Sequence, residues 1–267
     1  MYAFTYHRPT TVRQAANLLA KHEDAKLLAG GHSLIPVMKL RLASPPVLID
    51  LSKVEGLSGI ELKGRSIVIG AMTRHNDVAR SKELQEHLPA LAEVPAAIGD
   101  PHVRHVGTIG GSVANNDPNA DYPAACLGLG ATIVTSKRKI AADDFFTGMF
   151  STALEPDEII TKISFPIAKK AAYQKFKHPA SGFALVGVFV SKRASDIRVA
   201  VTGAGANGVF RVKAFEEALA QRFTPKSLDG LSIKPDGLNS DIHASAEYRA
   251  HLVGVLARRA VADAVKR

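Results

Sequence analysis

Two loops, Ala29-Gly30-Gly31-His32-Ser33 and Thr108-Ile109-Gly110-Gly111-Ser112, decide how this 267-residue chain is read. Each sets a pair of glycines beside hydroxyl side chains. Without Cβ atoms, a glycine pair lets successive backbone N–H groups converge on an anion, and a following serine adds another donor. One such loop is commonly no more than a turn. Two in one chain predict a pair of phosphate nests able to hold a pyrophosphate from opposite sides. The residues after the second loop, Val113-Ala114-Asn115-Asn116-Asp117-Pro118-Asn119-Ala120-Asp121, form a polar run suited to bonding a sugar.

Around these loops the pattern is α+β. Thr10 and Thr11 precede Val12, Ala15, Ala16, Leu18 and Leu19 at helical spacing, so a hydroxyl-capped helix is expected to run to Lys21. A strand at 26–29, a helix at 33–42 and a strand at 47–51 complete a small β-loop-α-β unit. A hairpin at 60–62 and 66–70 turns at Lys63-Gly64, and two helical segments divided near Pro89 occupy 76–97. Residues 101–121 read as a loop, 122–129 as a helix, and 131–135, 139–141 and 159–165 as strands closed by Pro166. A polar join at 167–172 leads to strands at 183–191 and 197–202, expected to pair antiparallel across Arg193-Ala194-Ser195-Asp196. Helices follow at 213–221 and 247–265.

Composition narrows the function classes. Hydrophobic residues at 46% and charged residues at 22% describe a globular chain with a substantial core. The longest apolar run, 183–190, suits a buried strand and is too short to span a bilayer. The opening residues lack the order of a secretory signal, so a cytoplasmic location is expected. The single cysteine, Cys126, reads as a small buried hydrophobe, and one thiol can hold neither an iron–sulfur cluster nor a structural zinc. The net charge of +9 is spread over clusters such as Lys137-Arg138-Lys139 that lack interleaved aromatics, so nucleic acid is not an expected partner.

Three rival signals are weaker. Gly203-Ala204-Gly205-Ala206-Asn207-Gly208 matches a dinucleotide fingerprint, but it follows a hairpin strand and does not open a helix. His102 and His105 have no carboxylate or thiol at helpful spacing and read as loop histidines, not metal ligands. Ser33 lacks the setting of a nucleophile elbow, so no catalytic triad is expected.

At the two glycine loops the sequence resembles the FAD-binding medium subunits of molybdenum hydroxylases, the group of aerobic carbon monoxide dehydrogenase medium chains and the xanthine dehydrogenase flavin domain. The resemblance continues through AGGHSLIP at 29–36, TIGGSVANNDPNAD at 108–121, DEIITKISFP at 157–166, YQKFK at 173–177 and YRAHLVGVLARRA at 248–260. It implies an α+β fold of the vanillyl-alcohol-oxidase (PCMH) type: FAD-binding subdomains at 1–56 and 57–167, then a C-terminal domain of antiparallel sheet with helices at 173–267.

By the same resemblance, Ala29, Gly30, Gly31, His32, Ser33, Leu34, Ile35 and Pro36, with Thr108, Ile109, Gly110, Gly111, Ser112 and Asn115, surround the pyrophosphate and nearby cofactor atoms. Asp121 bonds a cofactor hydroxyl, and Ile98, Ile160 and Lys177 line the flavin or its tail. The implied cofactor is FAD and the implied activity is electron transfer, with no residue of this chain acting as acid or base. The implied partners are a small 2Fe-2S iron–sulfur subunit and a large molybdenum-cofactor subunit, assembled as a dimer of heterotrimers, with any membrane association made through the complex. The alternatives on the same fold are an autonomous FAD-dependent oxidoreductase and a flavin-free assembly module.

Overall fold

The structure, a computed structural model, describes residues 1–194 and 196–267; Ser195, within the expected 193–196 turn, lies outside the described residues. Among the described residues three larger sheets divide the chain, beside a two-stranded hairpin of Phe146–Gly148 and Ser151–Thr152. The first is parallel, with Thr5–His7 and Lys26–Leu28 flanking Val47–Asp50. The second is antiparallel and five-stranded, in the order Ile60–Lys63, Ser66–Gly70, Ile160–Pro166, Thr132–Thr135, Lys139–Ala141. The third, also antiparallel, runs Lys170–Lys177, Ala184–Lys192, Ile197–Thr202, Phe210–Arg211.

The core explains the long apolar runs. Every residue of helix Tyr122–Leu129 is buried, because it packs into the core of the second sheet on one side and beneath the third sheet on the other. Gly128 makes this possible: a Cβ there would sit 2.6 Å from Cδ1 of Phe189. The opposite face of the third sheet is covered by helices Lys213–Gln221 and Ala246–Lys266. Strand Ala184–Lys192 is thus buried on both faces, which is why it reads as an uninterrupted hydrophobic stretch. Removing one of its buried side chains from water stabilises the fold by about 1.5–3 kcal/mol.

Several expectations need correction. Residues 101–121 are not a plain loop: helices Pro101–Val106 and Ile109–Asn115 lie within them, each capped by a side chain, Asp100 accepting from the His102 N–H and Thr108 from the Gly111 N–H. His102 and His105 are therefore exposed helix residues. The 76–97 region holds three helices rather than two, His75–Arg80, Lys82–His87 and Pro89–Ala96. The polar join at 167–172 is partly strand, since Lys170–Lys177 pairs along the length of Ala184–Lys192. The 203–208 glycines form the turn between antiparallel strands Ile197–Thr202 and Phe210–Arg211 and open a strand instead of a helix, so the rival fingerprint has no nucleotide geometry.

A buried carboxylate paired with a half-exposed arginine leads into the strand that borders the cleft described below. The Arg138 guanidinium and the Thr135 hydroxyl both donate to the Glu158 carboxylate, whose side chain is fully buried. Hydrogen bonding from Arg138, opposed by burial and helped by Thr135, holds the Glu158 carboxyl down to about 2 from 4.5. A carboxyl depressed in the folded state stabilises above its unfolded value and loses that contribution as pH falls toward the folded one. The melting temperature of wild type is therefore expected to fall between pH 4.5 and about 2 more steeply than that of Glu158→Gln. Parallel melting curves for the two proteins across that window would refute the assignment.

Candidate functional site

A cleft of about 790 Å³ opens between the two glycine loops and continues to the edge of the third sheet. That volume lies in the roughly 300–1,000 Å³ range of cofactor pockets. It is lined by Ala29, Gly30, Gly31, His32, Ser33 and Leu34 from the first loop, and by Thr108, Gly110, Gly111, Ser112 and Asn115 from the second. Ile98, Asp121 and Ile160 also reach it. Ile35, Pro36, Ile109 and Lys177 do not line it. Ile109 is wholly buried in the core, and Ile35 turns back against Gly31, where a Cβ would stand 3.0 Å from its Cγ1.

The loops meet directly. A Cβ on Gly30 would stand 2.6 Å from the carbonyl oxygen of Val106 and 2.7 Å from Cα of Gly107, so two backbones touch with no side chain between them. A Cβ on Gly111 would stand 3.5 Å from that of Ala29, and 2.9 Å from Oγ1 of Thr108.

Their hydrogen bonding differs. In the second loop the N–H groups are committed within the protein: Ile109 to Thr73 O at 3.0 Å, Gly110 to Ala71 O at 2.8 Å, Gly111 to Thr108 Oγ1 at 3.2 Å and Ser112 to Thr108 O at 3.0 Å. In the first loop, Gly31 takes a left-handed φ of 71°, and the N–H groups of Gly31, His32 and Ser33 have no acceptor among the described residues. Ser33 starts helix Leu34–Lys39 without a side-chain cap, which leaves its hydroxyl free as well. The unaccepted N–H groups are thus in the first loop, and the second loop closes over them.

At the far end, Asp121 and Lys175 form an ion pair at 2.9 Å with side chains only 4% and 3% exposed. The Lys175 ammonium also donates to the Ala97 carbonyl at 3.2 Å, and the Tyr173 hydroxyl donates to the other Asp121 oxygen. Burial pushes the Asp121 carboxyl up, against the lowering pull of Lys175 and Tyr173. Thr202 anchors this corner by donating to the carbonyls of Pro118 and Ala120, at 3.0 and 2.7 Å. An unbroken strand would place Lys175 and Lys177 on one face. Lys175 is the one that lines the cleft, whereas Lys177 is exposed and does not line it, although its charge also helps to lower the Asp121 carboxyl.

Among the further lining residues, two carry no local signal in the sequence. His75 is 5% exposed; its Nδ1 is buried without a partner, and its ring lies 5.3 Å from that of Tyr122, whose hydroxyl is also unpartnered. Burial first, and repulsion from His32 second, lower its pKa to about 4, so the imidazole is neutral at physiological pH. Phe150 stands at the cleft with a φ of 54°. Among the described residues no group of three His, Cys, Asp or Glu side chains could hold a metal, and Cys126 is fully buried. No helix among them is long and apolar enough to cross a membrane.

Known proteins are similar to this chain in sequence and fold. A family profile described as the FAD binding domain in molybdopterin dehydrogenase matches residues 2–168, and one described as the CO dehydrogenase flavoprotein C-terminal domain matches 171–264. The carbon monoxide dehydrogenase medium chain of Hydrogenophaga pseudoflava is 36% identical over 97% of this chain and 96% of its own length. The nicotine 6-hydroxylase medium subunit of Paenarthrobacter nicotinovorans is 37% identical over 98% of this chain and 97% of its own. A chain of reconstituted CO dehydrogenase from Oligotropha carboxidovorans superposes with a TM-score of 0.90 at 36% identity, covering 100% of this chain and 99% of that one.

The residues present suit FAD: a row of free N–H groups for a pyrophosphate, an orphaned imidazole nitrogen, apolar walls, and a carboxylate and ammonium for polar groups of the cofactor. Gly30→Ala tests the clasp itself. Its methyl meets backbone, which cannot yield without parting the loops, so the cofactor-free melting temperature is expected to drop by several degrees, from a cost on the order of 1–3 kcal/mol. A melting temperature equal to that of wild type would show that the loops do not touch in solution.

Proposed function

The chain belongs to the family of FAD-binding medium subunits of molybdenum hydroxylases, an oxidoreductase family, and we propose that it is the electron-transfer subunit of such a complex, holding its FAD in this cleft. Electrons arrive from 2Fe-2S clusters on a small partner subunit, after substrate oxidation at a molybdenum cofactor on a large one, and leave to an external acceptor. The division of labour is supported by the single cysteine of this chain, too few thiolates for a cluster. A cytoplasmic dimer of heterotrimers is the assembly proposed, with subdomains 1–56 and 57–167 clasping the cofactor and 173–267 closing its far end.

Bound FAD supplies the exchange between electrons that arrive singly and electrons that leave in pairs. The protein's part is binding, orientation and electrostatics. The Gly31, His32 and Ser33 N–H groups, with the Ser33 hydroxyl, hold the pyrophosphate, and the Ser112 hydroxyl adds a donor from the second loop. Asp121 retains lone pairs beyond those used by Tyr173 and Lys175 and accepts from a cofactor hydroxyl. Lys175 has a third N–H beyond those given to Asp121 and Ala97, and directs it to a cofactor oxygen or nitrogen. Ile98 and Ile160 form apolar walls that exclude water.

The observation that carries this reading is the row of three unaccepted N–H groups in the first loop, closed over by the second. The purified chain is expected to show flavin absorption bands and to release FAD in equimolar amount. Gly111→Asp would project a carboxylate toward Ala29, between the loops, and is expected to abolish FAD retention while preserving the far-ultraviolet circular dichroism. Full flavin content in Gly111→Asp would overturn the placement of the pyrophosphate.

A further inference from the structure

We propose that the Phe150 side chain is a stacking ligand for one of the planar rings of the bound cofactor, and that Asn116 is the residue that positions it. The inference rests on FAD occupying the cleft. It starts from a strained backbone: Phe150 has a φ of 54°, a left-handed conformation that bulky L-residues rarely adopt. Such strain persists only where neighbouring structure over-determines it, and it concentrates at ligand sites.

The neighbour that over-determines it is Asn116, itself left-handed at φ 44° and 1% exposed. Its Nδ2 donates to the carbonyls of Gly148 and Ser151, both at 2.8 Å, and its own carbonyl accepts from the Phe150 N–H at 3.1 Å. Three bonds from one buried residue thus clamp the tip of the small hairpin formed by Phe146–Gly148 and Ser151–Thr152. What the clamp presents is an aromatic ring left 59% exposed on the cleft wall. Core packing does not explain it. Phe145 is fully buried and Phe146 packs against the same core, whereas Phe150 belongs to no hydrophobic cluster.

The clamp is also tied to the phosphate end of the cleft. Asn116 caps the C-terminus of helix Ile109–Asn115, which contains the Gly110–Gly111 pair. Seven residues at 1.5 Å each put the two ends about 10 Å apart. That separation is on the scale of the sugar or sugar-alcohol linker between a pyrophosphate and the ring it carries. Phe150 is tied by its N–H to the far end of that helix, and an aromatic side chain has few rotatable bonds to freeze when a ring is laid on it.

Titration of the FAD-stripped full chain with FAD, followed by flavin fluorescence and by calorimetry, tests the proposal. Phe150→Gly removes the ring and adopts the left-handed backbone without strain, so the melting temperature of the free chain is expected to hold or rise. FAD Kd is expected to weaken on the order of tenfold, as for loss of a base–aromatic stack. Phe150→Tyr keeps the ring and is expected to keep the affinity. FMN and ADP as separate probes identify the ring: weakening of FMN alone assigns the isoalloxazine, and of ADP alone the adenine. An unchanged FAD Kd in Phe150→Gly would overturn the proposal, including the case in which the tip serves a partner protein instead. Equal losses in the Gly and Tyr variants would also overturn it, because the ring would then not be the cause. FAD bound by Gly111→Asp with wild-type affinity would instead fault the placement of the cofactor in this cleft.

Discussion

The site depends on the absence of a side chain between Gly30 and the carbonyl of Val106. Two segments, one following strand Lys26–Leu28 and the other ending helix Pro101–Val106, approach until their backbones touch, and only glycine on at least one side permits it. The same device seats the second loop, since a Cβ on Gly110 would stand 2.6 Å from Cβ of Ala71, the residue whose carbonyl accepts the Gly110 N–H. The five-stranded sheet therefore positions the second loop, the second loop positions the first, and the nest of free N–H groups exists because both approaches are close.

The two loops look alike as sequence and do different work in the fold. Each has paired glycines and flanking hydroxyls, so sequence reasoning assigns a nest to both. Which N–H groups remain free is decided elsewhere. Ala71 and Thr73, at the end of the second sheet, supply acceptors to the second loop, whereas no described residue supplies one to Gly31, His32 or Ser33. Local composition states what a loop can donate, and tertiary neighbours state what is left to donate.

That distinction also sorts what was legible from sequence. Helix 122–129 and the apolar strand near 183–191 were readable because their signals are long runs with one interpretation. Residues 101–121 were not, because Pro101 and the Gly110–Gly111 pair are ordinary loop signals, and the capping by Asp100 and Thr108 that turns them into helices spans only a few residues. Lys175 and Lys177 lie two apart in one strand, so period-two reasoning assigns them one face and cannot tell which of them is buried against Asp121. The lining by His75 has no local signature at all, since it comes from helix packing against Gly107, where a Cβ would fall 2.7 Å from Nε2.

The buried Asp121–Lys175 pair is poor evidence of stability, since removing two charges from water costs about as much as their attraction returns. Its hydrogen bonding points to geometry instead. Tyr173 and Lys175 engage one oxygen each of Asp121, and Ala97 takes a second Lys175 proton, so neither charged group can rotate without breaking a buried bond. A lysine in water is a mobile point charge, whereas this one has a single remaining N–H in a fixed direction. The rigid ion pair therefore fixes a charge in position at the end of the cleft opposite the free N–H groups of the first loop.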